Sequence, residues 1–183
     1  MKPILFLFPI IALALICILY ARLSKNTADK MAFKRYMLTM LLVSFCMNLI
    51  WELAQIPLYK GGKYSMGHIA FCSLGSVADA IMTILLYLIL VFVFRDIIWI
   101  KNTQWAKGLV IVCMGGFLAG LSEMRHLAIA SWAYDAAMPI IPLTKVGLLP
   151  VLQFAFLPML IYRTTFYLLN RKRTNNKLHL SHF

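Results

Sequence analysis

Acidic residues are scarce in this chain. Its 183 residues include six Asp and Glu against 18 Lys and Arg, a formal net charge of +12. Charge of either sign is also sparse, at 13%, about half of what a soluble domain carries. That deficit excludes an ordinary water-facing surface. The four cysteines, Cys17, Cys46, Cys72 and Cys113, include no C-x-x-C pair, and each lies in an apolar run. They form no metal-ligand spacing and no disulfide framework, and they read as small buried hydrophobes. The chain lacks the H-E-x-x-H of a zinc protease, the His clusters of a di-iron desaturase and a G-x-S-x-G elbow. No metal or cofactor is expected. Internal repeats are missing too, so the two inverted halves common among transporters find no support.

What is present is apolar sequence. Hydrophobic residues make up 62% of the chain and the mean hydropathy is +0.83. A helix needs about 20 mostly apolar residues to cross the hydrocarbon core. Five runs approach or exceed that length, at about 4–20, 37–58, 69–94, 108–130 and 146–166. The first follows Lys2 and invites comparison with a signal peptide. It has no A-x-A arrangement near its end and runs directly into a basic stretch, so it reads as an anchor. The expected fold is an all-α membrane bundle of about five transmembrane helices. One helical domain spans 1–170, and 171–183 forms a basic tail.

The Lys and Arg residues lie between and after the apolar runs. Arg22, Lys25, Lys30, Lys34 and Arg35 follow the first run; Arg95, Lys101 and Lys107 follow the third; Arg163, Arg171, Lys172, Arg173 and Lys177 close the chain. Lys2, Lys60, Lys63 and Lys145 fall on the opposite side. This bias predicts a cytoplasmic C-terminus and an outside N-terminus, which an odd number of spans allows. The basic residues therefore read as topogenic, with anionic lipid headgroups as partners on the cytoplasmic face and no nucleic acid. The bilayer is the main partner, and an oligomer is possible.

Acids within the spans are the exception to this pattern. Glu52, Asp79 and Glu123 lie inside predicted helices. A charge at the bilayer centre costs about 2.5–3.5 kcal/mol on insertion scales, so such residues face a partner or a cavity. Helical spacing places them on polar stripes. Ser44, Asn48, Glu52, Gln55 and Tyr59 form one; Cys72, Ser76, Asp79, Thr83 and Tyr87 form a second; Gly116, Gly120, Glu123 and His126 form a third. From the helical rise, Glu52, Asp79 and Glu123 sit about 9, 15 and 11 Å below the outer ends of their spans. Gln153 enters at a similar depth, so four helices contribute to one polar layer. Arg125 lies roughly 200° round the helix from Glu123, which makes Asp79 or Asp135 its more natural partner. Glu52, Asp79, Glu123 and His126 are the candidate catalytic groups, with Asn48, Gln55, Arg125 and Gln153 as candidate substrate-binding groups.

The simpler reading treats these groups as glue, since polar side chains hydrogen-bond across membrane helices at roughly 0.6 kcal/mol each. Ser44, Cys72, Ser76 and Thr83 suit that role, and Gly116-x-x-x-Gly120 suits helix packing. Trp51, Trp132, Tyr59 and Tyr134 fit an aromatic belt at the outer boundary, as Trp99 and Trp105 do at the inner one. His68 reads as a loop residue, and His179 and His182 fall in the tail. The prolines Pro139, Pro142, Pro150 and Pro158 break regularity near the last span, and the segment 135–145 could cap the polar layer from outside. A last helix opened at Pro150 would bare its carbonyls to the layer.

Three strings carry a resemblance. Trp51-Glu52-Leu53-Ala54-Gln55-Ile56-Pro57-Leu58-Tyr59 is similar to a W-E-x-x-Q-x-P-L-Y signature. Ser122-Glu123, Ser131-Trp132-Ala133-Tyr134 and Met138-Pro139 resemble a second block, and Gly147-x-x-Pro150-x-Leu152-Gln153 a third. Together they resemble a family of small bacterial multi-pass membrane proteins, over about a third of the chain. Ala78-Asp79 departs from the family's Gly-Asp. The resemblance implies a bacterial inner-membrane location and no reaction. Three functions stay open on the residues: a cofactor-independent acid/base enzyme acting on a lipid or isoprenoid, a small proton-coupled transporter or carrier, and an assembly partner of another membrane protein.

Overall fold

The computed structural model describes residues 7–102 and 104–180, with side chains over 10–102 and 104–171. Five long helices follow one another: α1 (Leu7–Lys25), α2 (Lys30–Gln55), α3 (Met66–Phe94), α4 (Trp105–Ala128) and α5 (Leu148–Leu180). Short 3-10 turns occupy Ile56–Leu58 and Trp99–Asn102. Among the described residues, four segments are long and apolar enough to cross a membrane, Lys30–Leu58, Met66–Phe94, Trp105–Ala128 and Leu148–Arg171. Large apolar side chains such as Leu42, Ile50 and Phe117 stand exposed along them, as expected of helices that face lipid. α2, α3 and α4 begin before the apolar runs read from the sequence, α2 and α4 stop short of their ends, and α5 continues as helix into the basic tail to Leu180. Residues 1–6 and 181–183, with Lys2 and His182, lie outside the described residues, as does the side chain of His179.

Local signals account for the helix ends. The Asp29 side chain accepts from Ala32 N at 2.8 Å and caps α2. Pro57 cannot continue an α-helical ladder, and the chain tightens into the 3-10 turn after Gln55. Ser65 caps α3 by accepting from His68 N at 3.3 Å. The α3 helix stops where Arg95 takes a left-handed conformation at φ 53°. Pro150 falls in the first turn of α5, where no backbone donor is needed, so it does not open the helix. The proline inside α5 is Pro158.

The helices pack in the spatial order α1, α3, α2, α5, α4, and α3 and α4 are not packed against each other. One end of the bundle is solid. There Tyr36, Tyr87, Trp99, Ile111, Ile161 and Tyr162 form the buried core with the Ile84–Val91 stretch of α3. Trp99 stacks on Tyr87 at 5.3 Å and meets Tyr162 edge-on at 5.5 Å. The core ties its hydroxyls to backbone, with Tyr162 donating to Thr83 O at 2.8 Å and Tyr87 to Ile97 O at 2.7 Å. Trp99 is therefore core, not a belt residue, whereas Trp105 is exposed. The cysteines also depart from expectation. Cys72 alone is buried, while Cys17, Cys46 and Cys113 are exposed on helix surfaces. A thiol is small and weakly polar enough for a lipid-facing position as well as for a core.

A backbone strap closes the other end. Tyr59 and Tyr134 form an antiparallel bridge, with Lys60 N donating to Ala133 O at 2.8 Å and Asp135 N to Leu58 O at 2.9 Å. A second bridge joins Ile140 to Gly147. Met138 and Val146 anchor the strap as buried side chains. Gly147 is needed at this fold-over: a Cβ there would meet the Tyr134 ring at 3.0 Å and Met138 Sδ at 3.1 Å.

Candidate functional site

The polar stripes of α2 and α3 face inward. Ser44, Asn48 and Gln55 on α2 and Cys72, Ser76, Thr83 and Tyr87 on α3 are buried. On α4 the buried line is Ile111, Gly115, Ala119 and Glu123, one residue off the glycine pair expected from the sequence. Gly115, rather than Gly120, is the point of close approach. A Cβ on Gly115 would collide with the Phe154 carbonyl oxygen, whereas one on Gly120 would meet nothing within 4 Å. Gly115 thus lets α4 and α5 touch backbone to backbone, about two helical turns below Glu123.

Gln153 of α5 is the hub of the polar layer. Its Nε2 donates to Asn48 Oδ1 at 3.0 Å and to Asp79 Oδ2 at 3.1 Å, and its Oε1 accepts from Gln55 Nε2 at 3.3 Å. Gln55 Nε2 also donates to Glu52 Oε1 at 2.9 Å. Asn48 is set in turn by donating to Ser44 O at 2.9 Å and Ser44 Oγ at 3.2 Å. Two amides therefore connect the carboxyls of Glu52 and Asp79. Both carboxyls also lie within electrostatic reach of Glu123. One acceptor in this network, Gln55 Oε1, is buried without a partner. An orphaned buried acceptor costs about 1–3 kcal/mol, so it calls for a reason.

Glu123 has its own pair of donors from the strap. Trp132 Nε1 donates to Glu123 Oε2 at 3.2 Å, and the Tyr134 hydroxyl donates to the same oxygen. The backbone of Ala130 turns left-handed at φ 50° as α4 ends, which throws Trp132 back over the helix. The Trp132 ring stacks on His126 at 4.2 Å, and His126 Nδ1 lies 3.2 Å from Ser131 Oγ. Tyr59 packs against both strap aromatics, 6.3 Å from Trp132 and 5.6 Å from Tyr134. Burial and then the bond to Glu123 push the Tyr134 hydroxyl above its ordinary range, and burial with the nearby carboxyls does the same to Tyr59. Both phenols therefore keep their protons at neutral pH, and Tyr134 donates its hydrogen bond to Glu123.

These groups surround one cavity of about 1020 Å³. Glu52, Asp79, Glu123, Arg125, His126 and Gln153 all line it. Asn48 and Gln55 do not line it and hold Gln153 from behind. Asp135 caps its own turn through Ala137 N at 3.3 Å, away from the cavity. The sequence reading missed Trp132 and Tyr134, which it placed in a membrane belt. Their spacing from Glu123 becomes meaningful only once the chain reverses at Ala130. His68 lies in the first turn of α3 and lines the mouth of the cavity with Lys60, instead of standing in a loop. Among the described residues, no group of three or more His, Cys, Asp and Glu side chains is placed to hold a metal ion. No family model, no curated protein and no solved structure matches the chain.

Proposed function

We propose that this chain is a five-span protein of the bacterial inner membrane, with its N-terminus outside and its C-terminus cytoplasmic, and that it is an acid/base enzyme acting on a lipid or isoprenoid. In this orientation the cavity and its strap lie at the outer leaflet. The observation that carries the reading is the convergence of Glu52, Asp79 and Glu123 on one cavity whose remaining wall is largely apolar. Glue needs no carboxyl, and it needs no cavity.

The chemistry that fits is proton transfer without a net change of redox state. One carboxylic acid delivers a proton to a carbon–carbon double bond, and a carboxylate removes one from the neighbouring carbon, so the bond shifts and the protons balance. Glu123, acceptor for two strap donors, takes the base role. Glu52 and Asp79, linked through Gln55 and Gln153, supply the proton; after the product leaves, Glu123 gives the proton it took to water and the donor carboxyl takes one up, which restores the starting state.

A carrier is the second reading, since buried acids also build proton relays. The aromatic core around Trp99 fills the opposite half of the bundle, which disfavours a path through it. An assembly role leaves the cavity without a purpose. The test is the lipid inventory of cells lacking the protein, complemented with wild type or Glu52→Gln. Accumulation of one lipid or isoprenoid that only wild type clears supports the enzyme. An unchanged inventory removes it.

A further inference from the structure

The cavity is open along one side, and the identity of that side is informative. The walls are α3 and α4, which are not packed against each other, while α2 and α5 form the back. Phe71 and Leu74 on α3 and Leu118 and Leu121 on α4 line it and are also exposed. A groove walled by apolar side chains on two membrane-length helices opens sideways, toward the acyl chains. Its mouth has a different character. Lys60 stands at the strap end, with Arg125 on the adjacent wall. Glu123 lies at the strap, bonded to Trp132 and Tyr134, while Glu52 and Asp79 lie on the walls below it. Glu52 is in the last turn of α2, before the 3-10 turn that leads to Lys60, and Asp79 is three turns into α3.

Positive charge at the mouth, an apolar slot beside it and acids partway down the slot are complementary to one kind of occupant. We propose that the cavity holds a single membrane lipid with an anionic headgroup, which enters laterally between α3 and α4. Its headgroup rests at Lys60 and Arg125, and the first part of its chain lies against the carboxyl layer. This deepens the enzyme reading and rests on it for what happens to the lipid. It is separate from the anionic lipid attracted to the basic residues at the opposite end of the bundle.

The test is native mass spectrometry of the full-length chain released from membranes of equimolar phosphatidylglycerol and phosphatidylcholine. Wild type is expected to retain one phosphatidylglycerol in preference to phosphatidylcholine. In Lys60→Gln/Arg125→Gln the preference falls by about five-fold for each cation removed. Gly75→Trp fills the slot, since a Cβ at Gly75 meets nothing within 4 Å, and it is expected to abolish retention. An unchanged lipid load in Gly75→Trp would place the lipid elsewhere and overturn the proposal, as would equal retention of the two lipids by wild type. A diazirine-bearing phosphatidylglycerol gives a readout free of variant folding: labels belong on the facing walls of α3 and α4, and labels confined to the basic end contradict the site. Glu52→Gln should still bind. Lipid retention by wild type together with a cellular lipid inventory that deletion leaves unchanged would retire the enzyme reading and leave the lipid site standing.

Discussion

Gln153 Nε2 lies 3.1 Å from Asp79 Oδ2, and this bond joins α5 to α3 at a level where the two helices have little other contact. Gln153 also serves Asn48 and Gln55, so one side chain ties three helices into the polar layer.

Removing that hub should cost more than a single membrane hydrogen bond. Gln153→Leu leaves buried groups on Asn48, Gln55 and Asp79 without their partner. The expected loss is about 2 kcal/mol, above the ~0.6 kcal/mol of an average interhelical bond. Equilibrium unfolding of the purified protein in mixed micelles measures it. A loss no larger than that of Ser73→Ala, whose hydroxyl bonds only Ile69 O of its own helix at 2.8 Å, would show that the network is not cooperative.

The strap aromatics should matter for turnover rather than for accumulation. Tyr134→Phe removes one donor from Glu123 and keeps the ring against Tyr59. Activity should fall by about 10²-fold, the scale seen when one positioned donor is lost, with protein levels unchanged. Trp132→Phe removes the other donor, the Nε1 at 3.2 Å, keeps a ring against His126, and should lower activity on the same scale. Clearance of the accumulated lipid per unit of protein is the readout, and equal activity of all three forms would remove the strap from the mechanism.

Gly115 and Gly120 should separate sharply. Gly115→Val drives a side chain into the Phe154 carbonyl and forces α4 from α5, and it should reduce folded protein in the membrane by overpacking of at least about 1–3 kcal/mol. Gly120→Val enters open space and should leave the level near wild type. Membrane-fraction immunoblots with a thermal-shift measurement decide it, and matched losses would contradict the packing described for α4.

Much of this layer was legible from spacing alone. The steps of three and four from Ser44 to Gln55 and from Cys72 to Tyr87 placed those side chains inside the bundle, because a helix in an apolar medium must turn its polar stripe inward. Their depths along the helices pointed to one polar layer for Glu52, Asp79, Glu123 and Gln153, and all four line one cavity. What spacing could not supply was pairing. Which helices touch depends on close approaches such as Gly115 on Phe154, and nothing in the run of small residues on α4 distinguished Gly115 from Gly116 and Gly120. Trp132 and Tyr134 were misassigned for a related reason. An aromatic after a membrane helix fits an interfacial belt equally well until the left-handed turn at Ala130 is known. Trp99 was misread because a short 3-10 turn folds it back into the core.

The central claim is that the carboxyl layer performs chemistry on a lipid. The most direct measurement is the lipid inventory of cells lacking the protein, rescued in parallel by wild type, Glu52→Gln and Glu123→Gln at equal membrane abundance. The account predicts one lipid or isoprenoid species that builds up in the deletion, is cleared by wild type and persists with either Gln variant. An inventory that does not change on deletion, or that both Gln variants restore in full, would contradict it.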